Sequence, residues 1–173
     1  MNGVTFYTGT RYAISPLDIA IVEDSGVTVR RPGPGNDTVY GFSTADKISG
    51  GGGNDAIWGL AGNDTLLGGD GNDTLHGGDG NDFVRGGRGD DALWGGPGND
   101  VFAYSGLRDG HDTINDFSVG HDVLRIVDAK PSQMHVSDQA DGTHLDLGGG
   151  GIVIAGLHGY HSVGEADAWL KFA

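Results

Sequence analysis

A nine-residue unit of the form Gly-Gly-x-Gly-Asn-Asp-x-apolar-x repeats through the middle of the chain. It is clearest at residues 68–76 and 77–85, and with Asp as position six its register runs unbroken from Pro32 to Ala103. The position-six residues are Asp37, Asp46, Asp55, Asp64, Asp73, Asp82, Asp91 and Asp100. The position-eight residues are all apolar: Val39, Ile48, Ile57, Leu66, Leu75, Val84, Leu93 and Phe102. Such a short period predicts a solenoid, in which each unit buries its apolar residue only against neighbouring units.

The residue types within the unit predict its shape. Glycines at positions one, two and four permit positive φ and close backbone approach, and Asn and Asp at positions five and six tolerate turn geometry. The three residues that follow are long enough for a short strand whose middle side chain points inward. Two repeats then make one coil, so odd and even repeats lie on opposite edges. Four coils stack to roughly 20 Å at the usual inter-strand spacing of ~4.8 Å.

This arrangement predicts a row of aspartates along each edge of the solenoid, one from the odd repeats and one from the even repeats. Carboxylates one strand spacing apart repel each other at low effective dielectric, and glycine-rich turns direct carbonyl oxygens into the same gaps. A hard divalent cation with oxygen ligands relieves the repulsion and satisfies the carbonyls, and calcium suits a loose, all-oxygen site better than magnesium. The chain has no Cys and no His cluster in the nine-residue register, which argues against zinc and copper.

The predicted metal-binding residues are the eight repeat aspartates, Asp112 beyond the repeats, and glycines of the turns. These glycines are Gly51, Gly53, Gly69, Gly71, Gly78, Gly80, Gly87, Gly89, Gly96 and Gly98. Four coils leave three gaps on each edge, so we expect about six or more calcium ions.

Other interpretations of an acidic, glycine-rich sequence fail on particular features. An EF-hand needs a bidentate Glu at loop position twelve, but Glu23 and Glu165 are the only glutamates and both lie outside the repeats. A disordered linker would not keep apolar residues at a strict spacing. A net charge of −14 without a basic patch argues against a nucleic-acid partner. We also expect no membrane span, because no apolar run is long enough.

These repeats resemble those of the RTX (repeat-in-toxin) family, and residues 112–124 and 141–154 are similar to the strands that close the family's rolls. The resemblance implies an all-β fold, a right-handed parallel β-roll loaded with calcium, over residues 32–103. It also implies that residues 104–173 form a C-terminal β cap with an uncleaved signal for the type I secretion machinery. Residues 1–31 are expected to be an N-terminal β cap or the end of an upstream domain, since a solenoid end must be covered.

Two repeats depart from the family pattern. The second repeat has Phe42 and Thr44, and the fourth has Leu60, where glycines are expected. We therefore expect the site that pairs Asp46 with Asp64 to be the least regular. The first repeat begins with Pro32, so the first turn is also expected to be irregular.

Position nine of the odd repeats carries planar side chains, which are Tyr40, Trp58, His76 and Trp94. If position eight points inward, position nine points outward, and these side chains form a column on one sheet. Two alternatives follow: the column stacks on sugar rings, or it packs beneath the N-terminal cap or the C-terminal strands.

The function predicted from the sequence is that of a non-catalytic, monomeric calcium-binding RTX module of a secreted bacterial protein, which folds on calcium binding outside the cell. The sequence contains no His-Glu-x-x-His motif, Walker A loop or Gly-x-Ser-x-Gly motif, so no enzyme is predicted. The alternative is a carbohydrate- or surface-binding module of an extracellular polysaccharide-acting enzyme or adhesin, with a polysaccharide as its partner.

Overall fold

A computed structural model describes residues 18–21, 33–105, 109–166 and 168–172. Its regular structure is almost entirely β, with two short 3-10 helices at Pro131–Gln133 and Val163–Ala166. The strands are β1 (Asp18–Ile21), β2 (Asp37–Tyr40), β3 (Lys47–Gly52), β4 (Ala56–Ala61), β5 (Thr65–Asp70), β6 (Thr74–Asp79), β7 (Phe83–Arg88), β8 (Ala92–Trp94), β9 (Val101–Tyr104), β10 (His111–Ile114), β11 (Val123–Ile126), β12 (His135–Gln139), β13 (Gly142–Asp146), β14 (Gly151–Ala155) and β15 (Leu170–Phe172). Among these residues there is no helix long and apolar enough to cross a bilayer.

From β2 to β11, successive strands alternate between two sheets. The odd sheet carries the odd repeats in the strand order β1-β2-β4-β6-β8-β10-β14-β13-β12, and the even sheet has the order β15-β11-β9-β7-β5-β3. Within the repeats each strand pairs in parallel with the strand one coil away, as in Ile57↔Leu75 and Leu66↔Val84. The predicted parallel β-roll, with odd and even repeats on opposite sides, is therefore confirmed.

The core of the roll is a double column of position-eight side chains. All eight lie at 2% exposure or less, and Ile114 and Leu124 continue the two columns beyond the repeats. Burying a side chain of this size contributes about 1.5–3 kcal/mol relative to leaving it exposed. The strict spacing of apolar residues in the sequence thus marks the side chains that point inward from the strands of the repeats.

The strands of the central repeats are longer than the sequence suggested. We expected three-residue strands, but β3 to β7 each contain six residues. The extra residues are positions one to three of the following unit, whose backbone still pairs with the next coil, as in Gly51↔Gly69 and Gly52↔Asp70. Glycine allows this pairing to continue through positive φ, so the strand ends later than side-chain alternation indicates.

Parallel pairing continues past the last repeat. β10 pairs with β8, and β11 pairs with β9, which adds a further coil that we call the closing coil (residues 105 and 109–126). β14 then extends the odd sheet in parallel, and β13 and β12 follow as antiparallel strands. At this end of the roll Ile114, Leu124, Ile152 and Ile154 lie in the core cluster, and Phe117 packs against it.

The N-terminal cap expected at residues 1–31 lies largely outside the described residues. The described part, β1, pairs in parallel with β2 in the register Asp18↔Asp37 to Ile21↔Tyr40. The odd sheet thus has one more strand before the first repeat.

Candidate metal sites along the two edges

Six of the eight repeat aspartates, from Asp55 to Asp100, accept a backbone hydrogen bond through the Oδ1 atom. The Oδ1 atom of Asp73 accepts the backbone N–H of Asp55 at 2.8 Å, and the Oδ1 atom of Asp82 accepts that of Asp64 at 2.7 Å. The same bond joins every successive pair on both edges, and it extends into the closing coil through Asp112 and Asp122. The predicted rows of aspartates are therefore present, and backbone donors set their spacing.

The second carboxylate oxygen has no hydrogen-bond partner at six of these residues. In each case the Oδ2 atom is buried: Asp55, Asp64, Asp73, Asp82, Asp91 and Asp100. A buried carboxylate oxygen without a partner is costly, because it has lost its water without gaining a donor. Six such atoms at repeating positions indicate an oxygen-binding group that the chain itself does not supply.

The space around these atoms is lined by oxygen. A Cβ atom added at Gly68 would overlap both Asp73 Oδ2 and the carbonyl oxygen of Gly86, one coil further on. Gly50, Gly59 and Gly77 show the same pattern with the aspartate of their own repeat and the next coil's carbonyl. Position-one glycine therefore keeps a gap open where a carboxylate oxygen and a carbonyl oxygen meet.

This donor set fits calcium. Carboxylate and carbonyl oxygens are the ligands that Ca²⁺ prefers, in flexible geometry and large number. The described residues hold no group of three or more His, Cys, Asp or Glu side chains suited to one metal ion, so a zinc-type site is absent from them. A cation between coils would draw on single carboxylates and on backbone carbonyls.

Asp46 differs from the other repeat aspartates. Its Oδ2 atom accepts the N–H of Phe42, four residues earlier, at 2.7 Å. Asp122 and Asp109 accept the N–H groups of Ser118 and Ser105 in the same way, at 2.7 and 2.6 Å. These carboxylates are satisfied by the chain, which the sequence pattern alone does not distinguish from an open site.

The backbone conformation four residues before the aspartate separates the two kinds of turn. At this position, position two of the unit, Gly78 has a φ of 109° and its N–H donates to the carbonyl oxygen of Gly95 in the next coil, 3.0 Å away. Leu60 occupies it in the fourth repeat and adopts a φ of 82°, and Asp64 keeps a buried Oδ2 without a partner. Phe42 has no positive φ, and its N–H turns to Asp46.

The expected irregularity between Asp46 and Asp64 therefore has one source. Leu60 takes the conformation of the glycine that it replaces, and the ladder bond from Asp46 N–H to Asp64 Oδ1 keeps its 2.8 Å length. Phe42 changes the turn instead. Of the ten glycines predicted as site residues, all except Gly98 have positive φ.

Burial raises the pKa of the edge carboxylates in the metal-free chain. The pKa of Asp73 is raised to about 7, chiefly by burial and then by Asp91, Asp55 and Asp70, against the stabilising N–H of Asp55. The pKa values of Asp64, Asp82, Asp91 and Asp100 are each raised to about 6, with burial again the main cause. Ionised carboxylates at these positions are thus unfavourable without a counter-charge.

The closing coil adds carboxylates that the nine-residue register does not reach. Burial, followed by the charge of Asp91, raises the pKa of Asp112 to about 9. Asp109 is buried at 2% exposure, and its Oδ2 atom lies 3.7 Å from Arg85 Nη2. Asp109 and Asp122 were not predicted as site residues. Their signal is the Asp-x-x-Asp and Gly-His-Asp spacing at residues 109–112 and 120–122.

The predicted column of planar side chains is present on the outer face of the odd sheet. Tyr40 stacks on Trp58 with ring centroids 4.8 Å apart, Trp58 on His76 at 5.6 Å, and His76 on Trp94 at 4.4 Å. The rings are within 9–20° of parallel, so their faces turn toward one another along the roll axis. Burial in this column lowers the pKa of His76, and Asp116 opposes the shift.

Comparison with known proteins identifies the repeats. The family model of the RTX calcium-binding nonapeptide repeat (4 copies) matches residues 33–66 and 67–102. The fold is similar to the extracellular lipase LipA from Serratia marcescens, with 17% identity and a TM-score of 0.45 over 82% of this chain and 39% of the lipase chain. It is also similar to the AlgE6R3 subunit of the Azotobacter vinelandii mannuronan C5-epimerase, with 26% identity and a TM-score of 0.42 over 87% of this chain and 86% of that subunit.

No curated protein matches the chain. The chain spans less than half the length of the lipase. The eightfold register, the two rows of aspartates and the family match over residues 33–102 agree with one another. Residues 33–102 of the chain therefore consist of repeats of the RTX calcium-binding type.

Proposed function

We propose that the chain is a non-catalytic module that folds when calcium fills the gaps between its turns. The six buried Oδ2 atoms without a partner carry this proposal, because they recur on both edges at the coil spacing. The raised pKa values of the same carboxylates support it, since burial raises them and a divalent cation supplies the counter-charge that a buried ionised carboxylate lacks.

The residues that would hold calcium are the repeat aspartates and the turn glycines between successive coils. The aspartates supply one oxygen each, and the glycines supply carbonyl oxygens. Bound calcium supplies positive charge and oxygen coordination, and the chain supplies the spacing through its Oδ1 hydrogen bonds. Asp46 is the weakest member, because its Oδ2 atom already has the N–H of Phe42 as a partner.

Calcium binding of this kind would contribute much of the folding free energy. A dissociation constant of ~0.1 mM per site and ~1 mM free calcium give about 1.4 kcal/mol per site. Six gaps would then contribute roughly 8 kcal/mol, comparable with the whole stability of an ordinary domain. At the much lower calcium of a cytosol this contribution vanishes.

The proposed setting is the C-terminal part of a secreted protein. RTX repeats are typical of secreted proteins, and a chain with a net charge of −14 repels itself when calcium is scarce. We infer that the chain passes the type I secretion machinery unfolded, guided by a signal in residues 104–173, and folds as a monomer outside.

The polysaccharide-binding alternative ranks below this proposal. It relied on the faces of Tyr40, Trp58, His76 and Trp94 stacking on sugar rings. Each face between two neighbours is occupied by the next ring, so the column offers ring edges along its length. Sugar stacking needs open ring faces.

A calcium titration of the chelator-treated chain tests the proposal. Far-UV circular dichroism should show a largely unfolded chain that gains β signal cooperatively as calcium is added. Magnesium at the same concentrations is the control and should produce little change, because it fits flexible carbonyl-rich sites poorly. A β spectrum that is the same with chelator and with calcium would disprove calcium-dependent folding.

A further inference from the structure

The outer face of the even sheet carries basic side chains, although the chain as a whole has a net charge of −14. In the column of position-nine side chains Arg85 is followed two strands later by Arg125, because β7 pairs with β9 and β9 pairs with β11. Lys47 at position seven of β3 also points outward, and Arg88 lies at the end of β7. These residues are far apart in the sequence, so the basic face appears only when the sheet brings them together.

An open groove of about 420 Å³ crosses three strands of this face. Its floor contains Gly51, Gly69 and Gly87, which pair with one another from coil to coil and have positive φ. A Cβ atom added at Gly69 or Gly87 would overlap the carbonyl oxygen of the glycine before it in this column. The groove therefore depends on glycine at each coil, and its floor is bare backbone.

Two arginines flank this floor at its β7 end. Arg85 and Arg88 lie on either side of residues 86–87, and both side chains line the groove. Arg85 Nη2 is 3.7 Å from Asp109 Oδ2, and Arg88 Nη1 is 3.6 Å from Asp70 Oδ1. Both distances exceed those of hydrogen bonds, and Arg85 Nε has no hydrogen-bond partner. The two guanidinium groups thus keep donor capacity that the chain does not use.

Two guanidinium groups on opposite walls favour a tetrahedral oxyanion. The two oxygens of a carboxylate lie in one plane and are taken up by a single guanidinium fork, whereas a phosphate or sulfate ester can accept forks from two sides. The β3 and β5 part of the groove contains Ser49 and Leu67, which suit an uncharged portion of a ligand. The volume is within the range of about 300–1,000 Å³ that small-molecule sites occupy.

We propose that this groove binds a small organic ligand that ends in a phosphate or sulfate group. The anionic group lies between Arg85 and Arg88, where it replaces the long ion pair with Asp70, and the neutral portion lies over Leu67 and Gly69. The site uses none of the buried Oδ2 atoms of the metal sites, and the column of planar side chains lies on the other sheet. The inference goes beyond the proposed function and requires only a folded roll, because the groove spans three coils.

A titration with ligands built on one sugar ring tests the chemistry of the site. Glucose 6-phosphate and glucose 6-sulfate carry the tetrahedral group, glucuronate carries a carboxylate, and glucose is the neutral control. At saturating calcium, both esters should shift the backbone amide NMR signals of Gly51, Gly69 and Gly87. The esters should bind about tenfold or more tightly than glucuronate, and glucose should produce no shift. Inorganic sulfate distinguishes an ester from a free ion and should bind more weakly than either ester.

Variants of the exposed arginine test the position of the anionic group. Arg88→Ala should weaken ester binding about tenfold or more, because it removes charge-assisted hydrogen bonds. Arg88→Lys should restore only part of the affinity, since an ammonium group lacks the guanidinium fork. Lys130→Ala is the matched control, because Lys130 is an exposed cation that does not line the groove, and it should leave the affinity unchanged. Circular dichroism of each variant verifies that the roll is folded.

The outcomes separate this site from the proposed function. Glycine signals that ignore both esters, equal binding of glucuronate, or an unchanged affinity in Arg88→Ala would overturn the site. An equal loss in Lys130→Ala would show attraction by overall charge and would also overturn it, and equal affinity for inorganic sulfate would overturn the assignment of an organic ligand. A roll that folds without calcium and still binds the esters would contradict the proposed function and leave this site standing.

Discussion

The repeats and the closing coil differ in the hydrogen bonding of the second carboxylate oxygen of their aspartates. In the repeats the Oδ2 atoms of six aspartates are buried without a partner. In the closing coil Asp109 and Asp122 accept the N–H of a serine four residues earlier. The second repeat lies at the other end of the even edge. It resembles the closing coil, because the N–H of Phe42 donates to the Oδ2 atom of Asp46.

The backbone conformation at position two of the unit therefore determines whether the aspartate keeps an oxygen open for calcium. Where position two has positive φ, its N–H is available to the next coil and the aspartate is left open, as with Gly78 and Asp82. Where Phe42, Ser105 or Ser118 lies four residues before the aspartate without a positive φ, the chain satisfies its own aspartate. The even edge is consequently open at its centre and closed at both ends.

Removing the closing coil should have the largest effect. Truncation after Ala103 exposes Leu93 and Phe102 and removes every strand that covers the end of the roll. Because a solenoid folds through neighbour interfaces, we expect this truncation to abolish calcium-induced folding. Calcium titration by circular dichroism measures it. Deletion of residues 68–85, one whole coil, is the control and should only weaken folding, so a truncated roll that folds normally would refute the role of the closing coil.

Acid should partly replace calcium in the repeats. A raised pKa stabilises the folded, metal-free roll at low pH, and this contribution is lost as pH rises through the folded values of about 6 to 7. The chelated chain should therefore gain β signal between pH 7.5 and about pH 5. Because calcium binds ionised carboxylates, its midpoint should fall over the same range as pH rises. A chelated chain without any pH response would contradict the cause assigned to these shifts.

Within the repeats, an aspartate at the centre of an edge should matter more than one that the chain already satisfies. Asp73 lies between Asp55 and Asp91 and borders two gaps, so Asp73→Ala should cost about 2.8 kcal/mol of calcium linkage. Asp46→Ala should raise the calcium midpoint less, since Phe42 already occupies the second oxygen of Asp46. The reverse order would show that the assignment of aspartates to edges is wrong.

Much of the roll could be predicted from the sequence, because its structure follows from a repeat of nine consecutive residues. A nine-residue period fixes which side chain points inward, which repeats share an edge and which rings share a column, and the strand pairings confirm each. Asp109 and Asp122 of the closing coil were not predicted, because the aspartates there leave the nine-residue spacing: 12 residues separate Asp100 from Asp112 and 10 separate Asp112 from Asp122. Loops of those lengths bring β10 and β11 back into pairing register with the previous coil, but they break the nine-residue spacing in the sequence.

Other features depend on backbone torsions or on ring orientation, which residue types constrain only weakly. A period places Tyr40 above Trp58, but it does not state whether their faces meet or point outward. Similarly, Phe42 and Leu60 are equal departures from glycine in the sequence and opposite in conformation. The difference between an open and a satisfied aspartate therefore appears only in the structure.

The smallest expected effect is that of replacing Leu60, which tests the difference between an open and a satisfied aspartate. A leucine with a φ of 82° is strained, because a left-handed backbone brings its Cβ atom close to the following carbonyl oxygen. Its side chain is 48% exposed, so little packing is lost on removing it. We expect Leu60→Gly to stabilise the calcium-loaded roll by about 1 kcal/mol, measured by thermal unfolding at saturating calcium. Leu60→Ala is the matched control: it keeps a Cβ atom in the same backbone conformation and should give no such gain. If Leu60→Gly instead lowered stability, or if the alanine variant gained as much, the glycine-like conformation at position two would not be what keeps Asp64 open.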